Sequence, residues 1–287
     1  MLIRTFIISI LIILFNIANA EHKTITSLPK QELVPGGVAI LEIPSDTKSV
    51  TYNKKPVFIS EYKNNKYAII GIPLKLEDKI DKNPISQNII IIKTNNKTLN
   101  KSFRVAKTNY PTSSITIKNT QMVKPDHTNL KRILEDQKLI LDNYNSYNNF
   151  NNNISSLLIK KPTKGIASSS FGSRRVINNI KKNSHKGMDI AAAKGSPIYS
   201  PLPGKVILAK NLFLPGNTVI VDHGNGLKTL YAHLDKVNVK QNQLISKNYK
   251  IGTVGNTGRV TGPHLHWSVI LNGEAVNPSL FLMKQKS

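Results

Sequence analysis

The chain has 287 residues, no cysteine, and 40 Lys and Arg against 16 Asp and Glu, for a net charge of +24. Without cysteine, disulfide staples, thiolate metal sites and a lipid-modified N-terminal Cys are all excluded. The length is generous for one domain and comfortable for two.

Met1-Leu-Ile-Arg4 sets one positive charge before an apolar run from Phe6 to Ile17, and Ala18-Asn19-Ala20 offers small residues at the −3 and −1 positions of a cleavage site. The run is short for a membrane span. Residues 1–20 are therefore expected to be a signal peptide, and the chain to be exported to the periplasm or cell envelope.

Residues 21–118 alternate short apolar runs with turn signals. Val38–Ile43, Lys66–Gly71, Asn88–Lys93, Ser102–Val105 and Ser114–Lys118 read as strands, separated by Pro35-Gly36-Gly37, Pro44-Ser45-Asp46, Asn64-Asn65 and Asn95-Asn96. That spacing predicts an all-β, sandwich-like N-terminal domain. From about Asn129 to Tyr144 the pattern predicts a helix capped by Asp126 or Thr128, with Leu130, Ile133, Leu134 and Leu141 on a shared face. Asn143–Asn153, rich in Asn and without charge, reads as linker, so that residues 119–160 join the two domains and a second domain occupies 161–287.

The charge is uneven. Residues 151–287 carry 19 basic and 4 acidic side chains, against 20 and 12 in residues 21–150. Charge of this sign steers a protein toward polyanions, and for an exported chain that means an anionic wall or membrane surface. Nucleic acid is not expected, because no nucleic-acid motif accompanies the charge. The joint abundance of Lys, Asn and Ile is also what AT-rich coding produces.

The chemistry gathers in two stretches. In Thr261-Gly-Pro-His264-Leu-His266-Trp267, a turn runs into a strand in which His264 and His266 share a face, about 6–7 Å apart at the usual rise. In Ser184-His185-Lys-Gly187-Met-Asp189-Ile, Gly187 argues against a helix, so His185 is expected in a loop and Asp189 at a strand start. One imidazole and one carboxylate here, with one imidazole from 264 or 266, make a three-ligand N/O set. That is the composition of a catalytic zinc site with a position open for water. A glycosidase would need a second carboxylate, and after Asp189 only Asp222, Asp235 and Glu274 remain in this half.

From Gly165 to about Leu282 the sequence resembles the catalytic domain of the M23 (lysostaphin-like, LytM-type) zinc metallopeptidases of bacterial cell walls, and the N-terminal part resembles the β module preceding it in Gram-negative members. The matching stretches are Ser169-Ser-Phe-Gly-Ser-Arg174-Arg175, His185-x-Gly-x-Asp189, Asp222-His223-Gly224-x-Gly226, Tyr231-Ala-His233-Leu and Gly255-x-Thr-Gly258-Arg259-x-Thr-Gly-Pro-His264-Leu-His266. The resemblance implies a two-sheet β peptidase domain, with Zn2+ held by His185, Asp189 and His266. It implies catalytic assistance from His233 and His264, and hydrolysis of the peptide stems of peptidoglycan. With all five positions filled, it speaks against a non-catalytic wall-binding or amidase-activating module. Alternation over Lys228–Leu234 would put Thr229, Tyr231 and His233 on one face, which turned toward the zinc would let His233 and His264 flank a bound water. Asn178, Arg174, Arg175 and Tyr231 are the candidate substrate contacts, and His223 reads as structural. Asn242 and Asn248 stand where the family usually has glycine, and Asn is the residue that best tolerates positive φ there. The N-terminal domain is expected to dock, to cover the zinc site as an autoinhibitory contact, or to serve as a passive spacer.

Overall fold

The structure is a computed structural model that describes residues 25–80, 85–150 and 154–284; the expected signal peptide (1–20) lies outside the described residues. It is a mostly antiparallel β protein with one long helix. The first sheet orders strands Val38–Ile43, Asn65–Gly71 and Phe58–Tyr62; the second orders Lys55–Pro56, Ser49–Tyr52, Ile85–Lys93 and Thr98–Ala106. Ala39, Ile43, Ala68 and Ile70 from one and Val50, Tyr52, Ile90, Ile92, Phe103 and Val105 from the other close a shared apolar core. This is the sandwich the spacing predicted. Ser49–Tyr52 and Phe58–Tyr62 escape a sequence reading because each is short and lies beside a turn.

Period-2 alternation gives the first sheet a second apolar face. Val38, Phe58 and Ile69 point away from the sandwich and join the core of the C-terminal domain with Leu271 and Val276. Asn272 fixes the joint. It begins the Asn272-Gly273 turn with φ +41, and its buried amide accepts from Gly71 N (2.6 Å) and donates to Gly71 O (3.0 Å). Asn272→Ala strands both backbone groups, each at about 1–3 kcal/mol, so urea unfolding should show a loss of roughly 2–4 kcal/mol with the m-value unchanged. A loss below about 0.5 kcal/mol would mean the joint does not depend on this amide.

The C-terminal part holds two sheets. The larger has ten strands and a central path of Leu244–Ile245, Gly204–Leu212, Gly216–Asp222, Lys228–Val237, His264–Leu271, Met188–Ala191 and Ile166–Ser169. The smaller orders Ile180–Lys182, Arg174–Ile177 and Thr112–Ile115. Thr112–Ile115, grouped with the N-terminal strands by sequence, thus pairs in parallel with Arg174–Ile177. One face of the large sheet buries Trp267, Leu265, Val269 and Tyr231; the other carries Leu208, Leu212, Ile220, Leu230, Ala232 and Ile270.

The helix His127–Asn145 lies on that second face. Asp126 caps it, accepting from Asn129 N at 2.8 Å. Its buried stripe is Ile133, Asp136 and Tyr144, with Ile140 packed beside them, whereas Leu130, Leu134 and Leu141 are about half exposed. The amphipathic pattern therefore gave the helix, but of its four apolar residues only Ile133 is buried. Asp136 goes inside because its carboxylate accepts from Phe213 N at 2.7 Å. Beyond the helix, Asn148 donates to Asp222 Oδ2 (2.7 Å) and accepts from Asn225 N, so the Asn-rich stretch is docked there. Lys228, fully buried, donates to the carbonyls of Tyr144 and Ser146 and ties the helix end to the sheet. Cations are favoured at that end by the helix dipole.

Candidate metal centre

Two strand pairings bring the site together. Met188–Ala191 runs antiparallel to His264–Leu271 with Asp189 opposite His266 and Ala191 opposite His264; on the other side Ala232 lies opposite His266. Residues paired across an antiparallel ladder share a face, so Asp189, His266 and Ala232 sit side by side on the face that also carries the helix. His185 arrives from its loop, held by His185 N to Ser173 O (2.9 Å) and Gly172 N to His185 O (2.8 Å). Gly187 makes the approach possible: a Cβ there would lie 2.5 Å from the Trp267 carbonyl.

His185 Nε2, Asp189 Oδ1 and His266 Nδ1 form a nearly equilateral triangle, with separations of 2.9 Å (His185 to Asp189), 2.9 Å (His266 to Asp189) and 2.8 Å (His185 to His266). The outer hydrogen bonds set the tautomers. His185 Nδ1 donates to the Ser170 carbonyl at 2.9 Å, and His266 Nε2 lies 3.0 Å from the Ser268 hydroxyl. Burial holds the His266 imidazole below its usual pKa, against the pull of the Asp189 carboxylate. Burial also pushes the Asp189 carboxyl up, but hydrogen bonds and charge from His185 and His266 outweigh it and keep the carboxylate ionised. Two imidazole nitrogens and a carboxylate oxygen thus face one point. Such a donor set fits a divalent cation, and two histidines with one carboxylate is the composition that suits zinc. The backbone carbonyl and hydroxyl behind the imidazoles are the supporting partners such ligands require. Arg175 Nη2 donates to Asp189 Oδ2 at 2.6 Å and orients the carboxylate from outside.

His233 reaches the same face by breaking the strand rule. Leu230 and Ala232 point to the helix side and Tyr231 to the core, so unbroken alternation would send His233 into the core with Tyr231. Instead His233 has φ +65, and Leu234 takes the core position. A left-handed histidine costs of order 1–3 kcal/mol and persists only where its surroundings impose it. Here His233 N donates to Pro215 O (2.9 Å) and Nδ1 donates to Thr257 O (2.8 Å). Nε2 is left free, and the ring centroid lies 4.9 Å from that of His264 and 6.1 Å from that of His266. Burial, aided by the neighbouring imidazoles, lowers its pKa to about 3. His264 donates Nδ1 to Gly262 O (2.9 Å), and its Nε2 is 3.9 Å from Asp189 Oδ1.

The remaining sequence candidates separate cleanly. Tyr231 is not in the cleft: it is fully buried in the core, hydrogen-bonded to Thr229, with burial pushing its pKa up to about 12. Asn178 is spent on local backbone, bonding Ile117 N and Ile117 O from a left-handed turn position. Arg174 turns to the N-terminal domain and pairs with Glu77 at 2.5 Å. None of the three lines the cavity beside the triangle, whereas Arg175 does. His223 is structural as read, buried between Pro203 O and Thr229, with burial lowering its pKa to about 4. Asn242 and Asn248 have φ of +69 and +64, so both carry the glycine-like turns expected of them. Sequence reading passed over Ser268, although His264, His266 and Ser268 alternate on one face. The Ser170, Thr257 and Pro215 carbonyls leave no side-chain signal.

A cavity of about 440 Å³ opens beside the triangle and includes His185, His233 and His266 in its wall. The helix walls one side with Ile140, Leu141 and Tyr144; Arg175, Lys186 and Arg259 stand among the other lining residues. None of the lining residues comes from residues 25–118. The element bordering the cleft is the helix, not the sandwich.

Comparison with known proteins agrees with this geometry. Residues 183–278 match the model of peptidase family M23, and residues 31–107 that of the peptidase family M23 N-terminal domain. The chain is 44% identical over 111 residues to peptidoglycan DD-endopeptidase ShyA of Vibrio cholerae, covering 38% of this chain and 26% of that protein. It is 42% identical over 94 residues to DD-carboxypeptidase/endopeptidase Mpg of Neisseria meningitidis, covering 33% of this chain and 22% of that one. The chain thus spans about a quarter of the length of these curated relatives. A crystal structure of a Pseudomonas aeruginosa protein assigned to peptidase M23 superposes with a TM-score of 0.71 at 30% identity, covering 88% of this chain and 96% of that one.

Proposed function

This chain belongs to peptidase family M23, and from that premise we propose that it is an exported zinc metallo-endopeptidase hydrolysing the peptide cross-links of bacterial peptidoglycan. The observation that carries the reading is the triangle of His185 Nε2, Asp189 Oδ1 and His266 Nδ1, three nitrogen and oxygen atoms converging beside a cavity. The named activities of the relatives supply the substrate class; this chain spans about a quarter of the length of those proteins.

Zinc held there would supply Lewis-acid polarisation of the scissile carbonyl and a water acidic enough to ionise near neutral pH. The chain's own part is proton handling and orientation. His233, its Nδ1–H committed to Thr257, presents Nε2 to accept a proton and hand it on to the leaving amine. His264 presents Nε2 in the same way from the opposite strand. Arg175 keeps the Asp189 carboxylate from rotating. The helix side of the cleft, with Ile140 and Tyr144, limits access of water.

The test is digestion of purified sacculi by the full chain, zinc-loaded or chelated, with mass spectrometry of the products. The expected result is conversion of cross-linked dimers to monomeric muropeptides, lost on chelation and restored by zinc. Release of new reducing sugar ends with intact cross-links would overturn the reading.

A further inference from the structure

Among the described residues, Arg259 lines the cleft and pairs with no carboxylate. It follows Gly258 in the loop leading to the His264–Leu271 strand, and its backbone is tied to Leu214 O at 2.8 Å. Among the described residues the guanidinium makes one hydrogen bond, to Met122 O at 3.4 Å, and pairs with no carboxylate. A guanidinium has five N–H donors arranged in a rigid fork, so most of its capacity is unspent although the side chain is partly buried.

Arg259 also stands near a like charge. Burial lowers its pKa, and the charge of Arg175 lowers it further. Arg175 is half engaged, with Nη2 on Asp189 Oδ2. Lys186 lines the same cavity, and no Asp or Glu is among the lining residues. Two guanidiniums close enough to disfavour each other's charge, with one carboxylate bound to Arg175 and none to Arg259, favour the entry of a further anion. The fork geometry selects a planar, two-oxygen group.

We propose that Arg259, with Arg175 beside it, forms a carboxylate-binding subsite in the cleft, so that the enzyme selects stem peptides carrying a free carboxylate next to the bond it cuts. The proposal rests on the peptidase reading above and names a determinant of its specificity. The apolar wall of Ile140, Leu141 and Tyr144 gives the rest of the stem an unselective surface, and the charge discrimination falls to the arginines.

Two synthetic cross-linked stem peptides, identical except that the carboxylate beside the scissile bond is free or amidated, test this on the zinc-loaded full chain. A charge-assisted hydrogen bond predicts a preference for the acid of about tenfold to a hundredfold in kcat/KM. Arg259→Gln should erase most of that preference by raising KM for the acid, leaving kcat, the amide kinetics and the zinc content as they were. Arg259→Lys should recover part of it, having the charge without the fork. Equal cleavage of both peptides by the unaltered chain, or equal losses on both in Arg259→Gln, would overturn the subsite. Calorimetry with the acid and amide forms of an uncleaved stem peptide separates this from the peptidase reading. If zinc is bound but neither peptide is cut, that reading fails, and acid-selective binding abolished by Arg259→Gln still supports the subsite. Indifference of the calorimetric signal to amidation sinks it.

Discussion

Asp189→Ala is expected to lose zinc and activity together. The carboxylate is the one charged member of the triangle and sits 2.9 Å from both imidazole nitrogens. Removing it leaves two neutral donors, and leaves Arg175, whose Nη2 lies 2.6 Å from Asp189 Oδ2, as an unpaired cation beside the vacated position. Both changes oppose a divalent ion. Losing a supporting partner costs about 10–100-fold in metal affinity, and loss of a ligand should exceed that, so elemental analysis after dialysis should find essentially no zinc. His185→Ala and His266→Ala should behave alike, each removing one corner. Circular dichroism separates this from unfolding, since the three residues come from a loop and two strands and only Asp189 has its carboxylate in a buried ion pair. Full zinc occupancy in any of the three variants would dismiss that residue as a ligand.

His233→Ala and His264→Ala should part company with those variants: zinc stays and turnover falls by about 10²–10⁴-fold, the usual worth of a general acid–base group. Neither ring belongs to the triangle, and each has its Nδ1 tied to a backbone carbonyl, Thr257 O or Gly262 O, which aims Nε2 at the cleft. The losses should fail to multiply in the double variant, because the two histidines serve one proton transfer. Alanine at 233 keeps a side chain in the left-handed region, so it does not relieve the strain, and the thermal midpoint should move by only a few degrees. Rates within threefold of the parent on sacculi, at full zinc, would remove the histidine concerned from the mechanism.

Truncating residues 21–118 is a poor way to ask whether the N-terminal domain covers the cleft. Val38, Phe58 and Ile69 share a core with Leu271 and Val276, and Asn272 is bonded to Gly71. Cutting there exposes the back of the His264–Leu271 strand, and an inactive product would report damage to the core.

Much of the site could be read from local pattern. His264 and His266 lie on one strand, so their relation is set by an alternation that holds over three residues. Gly187 and the turn signals put His185 in a loop because no helix tolerates that context. Asn242 and Asn248 were legible because the demand for positive φ is local. Legibility ended where a residue's role depends on distant backbone. Asn178 and Arg174 carry side chains suited to substrate, yet Ile117 and Glu77, far along the chain, take up their polar groups. Asp136 turned the helix inward on a face no hydrophobic pattern marks, because its partner is the amide of Phe213. Arg259 stood in a matching motif, but nothing in the sequence told that it would lack a counter-charge.

The sequence by itself determined a mostly β chain, since strand alternation and turn chemistry act within a few residues and survive any packing; those rules left the choice between His264 and His266 open, and only the resemblance to peptidase family M23 named His266 with His185 and Asp189. The tertiary structure alone decided that His233 faces the cleft and Tyr231 the core. Alternation fixes a side chain's face only while the backbone stays extended, and carbonyls of Pro215 and Thr257, supplied from elsewhere in the chain, hold His233 in the one conformation that reverses it.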